Sequence, residues 1–190
     1  MKGPLGFEFI IIEQKTRGRH TVKAKRSEWI ESWEIVFPND ANPHGTMFGG
    51  RLMAVMDKTA AIAASKFAEK LAVTASTEAM DFMHPVKVGD RIQTLAKVVW
   101  VGRTSMVVKV DVYAENPLTH KRVHCTTAHF NFVALDDSGN PATIPQLLIE
   151  TEEERRDFEI AEIVKKKALE RKRKILETEK NRPDESERSP

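Results

Sequence analysis

The chain has 190 residues, a net charge of +2 and a single cysteine, Cys125. A charge this close to zero gives no basis for bulk electrostatic attachment to nucleic acid. The lone cysteine excludes an internal disulfide and fits a reducing compartment. The longest purely apolar run near the N-terminus, residues 9–12, is far shorter than the roughly 20 residues that a membrane span needs, and no signal-cleavage pattern follows it. We therefore expect a cytoplasmic protein that binds neither nucleic acid nor a membrane.

Composition divides the chain into four parts. Residues 1–24 are basic and show no period, so we expect a poorly ordered extension. Residues 25–138 carry the periodic apolar pattern of one folded domain. Residues 139–180 are predicted to form a linker and a charged helical tail, because acidic residues come first and basic residues last, as a helix dipole favours. Residues 181–190 are expected to be disordered.

Within the domain, the hydrophobic period changes along the chain. After Gly50, apolar residues recur every three or four positions, which predicts a long helix reaching about Lys70. The other segments alternate with period two, or are rich in small and β-branched residues, and predict strands. These segments are residues 27–37, 71–83, 91–101, 105–114 and 122–135. One long helix against an antiparallel sheet is an α+β layer arrangement in which the helix covers the apolar face.

The tail and the sheet edges predict contacts beyond this core. In the tail, Ile160, Val164, Ala168 and Ile175 form a thin apolar stripe, which is enough for a helix lying on the domain surface. One helix rarely covers a sheet of this length, and the edge strands of the sheet would stay unpaired. Edge-to-edge pairing of two copies would solve both problems, so a homo-oligomer is predicted.

The stretch from Asn42 to Asp57 is the strongest candidate for a site. Gly49 and Gly50 at a helix start would let a ligand approach backbone N–H groups that lack a helical partner. An oxyanion that develops during acyl transfer would be stabilised there; the alternative is a tight loop that needs positive φ. Asp57 has apolar neighbours one turn away. It is either a surface carboxylate or one that lines a pocket and acts as a base or nucleophile.

Other polar residues carry weaker signals. Arg103, Thr104 and Ser105 lie between two predicted strands, where they form either a phosphate-binding turn or a plain solvated one. The histidines show no metal-ligand spacing: His120 and His124 on one strand would lie about 13 Å apart, so no metal is predicted. The sequence has neither a serine nucleophile elbow nor a phosphate-binding P-loop.

Several segments, in the same order, resemble the hotdog-fold acyl-CoA thioesterases of the cytosolic acyl-CoA hydrolase type. They are Asn42–Asp57, Val73–Ser76, Asp81–Phe82, His84–Asp90, Gly102–Met106 and Phe132–Asp136. The resemblance covers about residues 25–137. It implies the hotdog fold, in which a long helix is wrapped by a curved antiparallel sheet. It also implies a homodimer with one continuous sheet, and assembly of such dimers into trimers.

The resemblance further implies hydrolysis of an acyl-CoA thioester to a free carboxylic acid and CoA, with no cofactor besides the CoA of the substrate. The catalytic acid of the family maps onto Asp57 and its asparagine onto Asn42, and the two come from opposite subunits of the dimer. The backbone N–H groups of Gly49 and Gly50 would form the oxyanion hole. CoA would bind along the subunit interface. The residues implied to contact its phosphates are Arg103, Thr104 and Ser105.

Two alternatives stay open. A hotdog domain that binds acyl-CoA without hydrolysing it would regulate a partner, although such a domain is expected to lack the acid at Asp57. A hydratase or dehydratase on the same fold is less favoured. Such an enzyme needs a histidine near the helix; none follows Asp57 within it, and only His44 lies in the preceding loop.

Overall fold

A computed structural model describes residues 24–180. In chain order, its strands and α-helices are β1 (Ala24–Lys25), β2 (Ile30–Ile35), α1 (Gly49–Ala68), β3 (Leu71–Thr77), β4 (Arg91–Val101), β5 (Ser105–Glu115), β6 (Arg122–Leu135), β7 (Gln146–Leu147) and α2 (Glu152–Lys180). A short 3₁₀ turn, Pro38–Asp40, separates β2 from the loop before α1. The predicted N-terminal extension, apart from Ala24, and the predicted disordered end lie outside the described residues.

Five strands form one antiparallel sheet in the order β2-β4-β5-β6-β3. Alternation along the long strands sends one side chain in two toward α1. Ile92 and Ala96 of β4 and Val108 and Val110 of β5 are fully buried there. The helix contacts all five strands, so the sheet curls around it. This is the predicted α+β arrangement, and it matches the hotdog fold that the resemblance implies.

Small residues let α1 lie close to the sheet. The buried residues of the helix are Leu52, Val55, Met56, Thr59, Ala60, Ala63, Ala64, Phe67 and Ala68. The hydroxyl of Thr59 donates to the carbonyl oxygen of Val55 (2.9 Å), which satisfies its hydrogen-bonding capacity inside the core. The helix ends at Glu69, whose φ of +55° is left-handed and stops the helical ladder. It therefore begins two residues before the predicted start and ends about two before the predicted end.

The strand predictions agree best where the alternation is longest. β4 and β6 have the predicted bounds, and β5 extends one residue farther. The strand predicted over residues 27–37 is shorter and spans Ile30–Ile35. At its start, a side chain rather than the backbone makes the hydrogen bond to β4. Oγ of Ser27 accepts a hydrogen bond from the N–H of Val98 (2.9 Å).

The strand predicted over residues 71–83 ends at Thr77, so its second half was wrong. A register shift between Thr74 and Ser76 interrupts the ladder just before this point. The residues that follow still run along the edge of β6. They are held by hydrogen bonds from Glu78 N to His129 O (3.2 Å) and from Met83 N to Cys125 O (2.9 Å).

Two strands of two residues each were not predicted. β1 pairs with β7 in parallel, with Ala24 opposite Gln146. The pairing brings Lys25 to the C-terminus of α1, where its Nζ lies 2.8 Å from the carbonyl oxygen of Lys66 and 2.9 Å from a carboxylate oxygen of Glu69. A cation at this end stabilises the helix dipole. Buried residues of the segment around β7 are Ile144, Leu147 and Ile149.

The tail helix α2 lies on the outer face of the sheet, opposite to α1. Phe158 and Ala161 are buried there, and Ala161 packs against Val107 of β5. The predicted stripe was wrong at Ile160 and Ile175, which are 49% and 50% exposed, while Val164 is partly buried as expected. Within the described part of the chain, no helix combines the length and apolar character that crossing a membrane requires.

Candidate active site

The loop before α1 is closed by the side chain of Asn42. Its Oδ1 accepts a hydrogen bond from the N–H of His44 (2.9 Å), and its Nδ2 donates to Oγ1 of Thr46 (2.9 Å). Backbone bonds from Asn42 N to Thr46 O (2.8 Å) and from Gly45 N to Asn42 O (3.0 Å) complete the turn, with Gly45 at φ +74°. One hydrogen on Nδ2 remains available, and the turn fixes its direction.

An ion-pair cluster holds this loop against the first turn of α1. Nε of Arg51 lies 2.9 Å from Oδ1 of Asp40, and its Nη2 lies 3.4 Å from Oε2 of Glu34. Asp40 also accepts hydrogen bonds from the N–H groups of Phe37 (3.1 Å) and Phe48 (2.8 Å). The hydrogen bond from Arg51 holds the pKa of Asp40 below its usual range. The cluster therefore stays charged at neutral pH and fixes the loop relative to the helix.

The helix α1 begins without a capping side chain. The carbonyl oxygen of Phe48 accepts hydrogen bonds from the N–H groups of Arg51 (2.9 Å) and Leu52 (3.1 Å). Across residues 24–180, the N–H groups of Gly49 and Gly50 have no hydrogen-bond partner. A Cβ at Gly50 would come within 2.6 Å of the Phe48 ring, so the ring would have to move to admit a side chain at this position. Two unpaired donors at the positive end of a 20-residue helix suit a negatively charged oxygen.

Asp57 lies two turns into α1 and faces β3. Its Oδ1 accepts a 2.6 Å hydrogen bond from Oγ1 of Thr74. Thr74 points toward α1 because it pairs across the sheet with Phe132, which is buried on that face. Asp57 is half-buried, and its Oδ2 has no hydrogen-bond or ion-pair partner among the residues that the structure describes. One oxygen of this carboxylate is thus oriented, and the other is open to a ligand.

Sequence reasoning missed the role of Thr74. The residue belongs to a segment that resembles the thioesterases, but its side chain was assigned no contact. The contact with Asp57 depends on β3 lying beside β6 at the edge of the sheet. A period of two reveals which residues share a face but not which strands are neighbours. The available signal was a hydroxyl residue among apolar neighbours on the helix-facing side of a predicted strand.

A single chain does not bring the helix start and Asp57 to one point. Gly50 and Asp57 lie seven residues apart on the same side of α1, as the sequence predicts. Seven residues rise about 10.5 Å along a helix axis. A carbonyl group in contact with both would span only about 6 Å, because each contact is close to 3 Å. Simultaneous direct contact of one carbonyl group with both features is therefore disfavoured within one chain, whereas two chains could supply them.

The turn between β4 and β5 contains Arg103 and Thr104, and Ser105 begins β5. Two hydrogen bonds hold the backbone of this turn. The carbonyl oxygen of Thr104 accepts one from Ala134 of β6 (2.9 Å), and that of Arg103 accepts one from Ile144, which follows β6 (3.2 Å). The Arg103 side chain is exposed and forms no ion pair with the described carboxylates. The turn lies two strands from Thr74, about 10 Å across the sheet. Within one chain, it is therefore not next to Asp57.

Apolar side chains surround the start of α1. The ring of Phe82 lies 3.6 Å from where a Cβ of Gly49 would stand. Phe48, Phe82 and Met83 are 60%, 49% and 55% exposed. Large apolar side chains left open beside a polar site are suited to contact a hydrocarbon group.

Comparison with known proteins identifies the family. A family model described as the thioesterase superfamily matches residues 44–120. YkhA of Bacillus subtilis, described as an uncharacterised acyl-CoA thioester hydrolase, is 42% identical over 119 residues, which are 63% of this chain and 69% of that protein. The chain belongs to the thioesterase superfamily. The region matched by the family model contains the whole of α1, with Asp57, and the strands β3 to β5 of this thioesterase chain.

Solved acyl-CoA thioesterases share the fold of this superfamily member. An apo-hexameric acyl-CoA thioesterase has a TM-score of 0.76 at 38% identity, covering 79% of this chain and 97% of that one. The acyl-CoA hydrolase of Staphylococcus aureus, solved with butyryl coenzyme A, coenzyme A and coenzyme A disulfide, has a TM-score of 0.72 at 36% identity. The match covers 83% of this chain and 96% of that one.

Three variants of the Staphylococcus enzyme also match this thioesterase chain, with TM-scores of 0.74, 0.73 and 0.73. Each has one residue replaced by alanine: an asparagine, an aspartate or a threonine. In that enzyme, the aspartate follows the asparagine by 15 positions, and the threonine follows the aspartate by 17.

Proposed function

We propose that this protein hydrolyses acyl-CoA thioesters to a free carboxylic acid and CoA. The observation that carries the proposal is the hydrogen bond between Asp57 and Thr74. Asn42, Asp57 and Thr74 are separated by 15 and 17 positions, the same spacing as the three residues replaced in the Staphylococcus enzyme. The 2.6 Å hydrogen bond places two of these three residues, Asp57 and Thr74, in direct contact, and this observation does not depend on the spacing.

On a general-base route, Asp57 takes a proton from a water molecule that attacks the thioester carbonyl carbon. Gly49 and Gly50 of the partner subunit donate their N–H groups to the carbonyl oxygen, which becomes negatively charged in the tetrahedral intermediate. Collapse of the intermediate breaks the C–S bond, and the proton on Asp57 passes to the sulfur of CoA. Asn42 of the partner subunit directs its free Nδ2 hydrogen at the water or the carbonyl, and Thr74 of the same chain as Asp57 keeps the carboxylate oriented.

On a nucleophilic route, Oδ2 of Asp57 attacks the carbonyl carbon and expels the CoA thiolate. The resulting mixed anhydride between Asp57 and the acyl group is then opened by water. Turnover in ¹⁸O-labelled water separates the two routes. Label in the side chain of Asp57 after repeated turnover supports the anhydride, and its absence under single-turnover controls argues for direct attack by water.

We propose that the site belongs to two chains, because the spacing of the helix start and Asp57 along α1 disfavours direct contact of both with one carbonyl group. We propose a homodimer in which β3 pairs with β3 of a second copy, since this edge of the sheet has no neighbouring strand within residues 24–180. Further assembly into a trimer of dimers would follow the apo-hexameric relative. The outer side of β2 offers apolar surface for that step: Trp33, Ile35 and Phe37 line an open groove of about 610 Å³.

The substrate itself brings the only CoA that the reaction needs, and neither a metal ion nor a separate cofactor has a role in the proposed chemistry. The turn at Arg103, Thr104 and Ser105 is proposed to contact the CoA phosphates across the subunit interface, because the exposed guanidinium of Arg103 has no carboxylate to neutralise it within residues 24–180. The acyl group would lie against Phe82 and Met83.

The lone cysteine favours a cytoplasmic location.

A thiol-release assay over a series of acyl-CoA chain lengths tests the proposal. We expect release of CoA from at least one chain length, and a loss of about 100-fold or more in Asp57→Ala and Asn42→Ala. The matched control is Glu153→Ala, since this acid is exposed in the first turn of α2. The proposal fails if the unmodified protein releases no CoA, or if Asp57→Ala keeps full activity. Tight binding of acyl-CoA without release would favour the regulatory alternative.

A further inference from the structure

The helix α2 crosses the outer face of the sheet from β4 toward the edge strand β3. Its polar side chains contact the strands in the order in which the strands lie in the sheet. The pairs are Glu154 with Lys97 of β4 (2.6 Å), Asp157 with Lys109 of β5 (2.9 Å), Lys165 with Asn131 of β6 (3.4 Å), and Arg171 with Glu78 just after β3 (3.4 Å). The last of these contacts lies at the edge of the sheet.

The helix continues past this edge. Residues 172–180 extend it by about 13 Å. Ile175 follows the partly buried Ala168 by seven residues, so it lies on the side of the helix that packs on the sheet. Ile175 and Leu176 are nevertheless 50% and 48% exposed. Within the described chain, the sheet has no further strand to cover them.

The edge strand β3 has exposed apolar side chains on the same outer face. It pairs with β6 on one side only. Because Thr74 faces α1, alternation sends Leu71 and Val73 to the outer face. There they are 73% and 47% exposed. Two apolar surfaces therefore lie near one edge of the sheet, and neither is covered within residues 24–180.

Two-fold pairing of β3 brings the two surfaces together. In an antiparallel pair of identical strands, the start of one strand lies opposite the end of the other. Leu71 of the partner subunit then lies near the end of β3, which precedes the glutamate bound by Arg171. The neighbouring strand is about 4.8 Å away, and the four residues from Arg171 to Ile175 advance the helix by about 6 Å. This advance is long enough to bring Ile175 to the partner strand.

We propose that the last turns of α2 cross the seam of the dimer and pack Ile175 and Leu176 on Leu71 and Val73 of the partner subunit. The proposal rests on the dimer through β3 given under the proposed function. By symmetry each chain gives one helix end and receives one, so the contact is made twice.

Charge favours a second copy of this chain as the occupant. Residues 172–174 at the overhanging end are all basic. The β6 residue that pairs with Leu71 is Leu135, and the exposed acids Asp136 and Asp137 follow it directly. The partner's acidic loop would thus lie near the basic end of the helix, where opposite charges attract.

Disulfide trapping between differently tagged protomers tests the contact. One protomer carries Ile175→Cys and the other Leu71→Cys, and the native Cys125 is buried and does not compete. We expect a cross-linked heterodimer after mild oxidation, because a disulfide forms when the Cα atoms lie within about 7 Å. The matched control is Ile163→Cys with Leu71→Cys, since Ile163 is 56% exposed on the same helix but away from the overhang. No cross-link, or equal cross-linking in the control, would overturn the proposal.

Sedimentation equilibrium separates failure of this proposal from failure of the dimer. We expect Ile175→Asp/Leu176→Asp to raise the dimer dissociation constant at least about tenfold, as loss of a packed apolar contact does, and Ile163→Asp to leave it unchanged. Both sites are exposed in one chain, so the variants are expected to fold. An unchanged constant in the double variant overturns the helix contact alone. An unmodified protein that stays monomeric overturns the proposed dimer as well.

Discussion

At the scale of single residues, the carboxylate of Asp57 has two unlike oxygens. Oδ1 is held by Thr74 at 2.6 Å, while Oδ2 has no partner in the described part of the protein. A base or nucleophile needs its reacting atom at a defined position, and a hydrogen bond to the other oxygen supplies that constraint. In the proposed mechanism Thr74 is therefore a positioning residue, which would act on the reaction through Asp57.

Replacement of Thr74 tests this role. Thr74→Val keeps the shape of the side chain but removes the hydroxyl, and a hydrogen bond to a charged group contributes about 1.5–3 kcal/mol. We expect kcat for CoA release to fall by about 10- to 100-fold with little change in KM. Thr74→Ser retains the donor and should recover most of the activity. If valine and serine reduce kcat equally, the hydroxyl has no part in orienting Asp57.

At the scale of elements, α2 is held on the sheet by a cluster of charges on the outer face. Nζ of Lys109 lies 2.9 Å from Asp157 of α2 and 3.6 Å from Asp111 of β5. Burial disfavours the charged form of Lys109, but the hydrogen bond to Asp157 and the charge of Asp111 outweigh it, so the pKa of this lysine is raised. The ion pair stays formed at neutral pH, and it joins the helix to the middle of the sheet.

Asp157→Asn should weaken this attachment. The change keeps the side-chain shape but removes the charge opposite Lys109, and we expect the free energy of unfolding to fall by about 1–3 kcal/mol. Urea unfolding followed by circular dichroism measures the loss. The matched control is Glu152→Gln, because the pair between Glu152 and Arg155 is largely exposed and such pairs contribute little. Equal stability of Asp157→Asn and the unmodified protein would contradict the account.

A histidine beside this cluster makes stability depend on pH. Burial lowers the pKa of His129, and the charge of Lys109 lowers it further, against the opposing effect of Asp157 and Asp111. Above the ordinary histidine pKa of about 6.5, His129 is neutral in both the folded and unfolded chain. Below this pKa, His129 binds a proton more readily in the unfolded chain than in the folded chain. The free energy of unfolding therefore decreases as the pH is lowered.

We expect His129→Gln to flatten this dependence between about pH 5 and 6.5. The measurement is a set of urea unfolding curves at half-unit pH steps, and His120→Gln is the control because its side chain is 73% exposed. A slope of free energy against pH that is the same in His129→Gln and the unmodified protein would show that burial of this histidine has no effect on stability.

The elements also show which parts of the structure could be predicted from the sequence. The long strands β4 and β6 were located to the residue, because eleven or more alternating positions give an unmistakable period. The two-residue strands β1 and β7 are too short to have a period. The order of strands in the sheet depends on packing between distant segments. The contact of Thr74 with Asp57 depends on that order, so it could not be predicted from the sequence.

At the scale of the whole molecule, the spacing along α1 bears on how the proposed site is built. The backbones of Gly50 and Asp57 lie about 10.5 Å apart along the helix axis. Within residues 24–180, β3 has an unpaired edge, and the end of α2 lies beside it. Asp57 was singled out by its apolar neighbours, and resemblance to the family assigned it to a site shared by two chains. A site that combines the helix start of one chain with Asp57 of another fits this spacing.

Subunit complementation tests this arrangement most directly. Asp57→Ala and Asn42→Ala proteins are each expected to be inactive, and they are unfolded together, refolded as a mixture and assayed for CoA release. If the two residues come from opposite subunits, half of the dimers are mixed and each has one intact site, so about a quarter of the original activity returns. If the mixture is no more active than either variant alone, Asn42 and Asp57 serve the same chain and the shared site is contradicted.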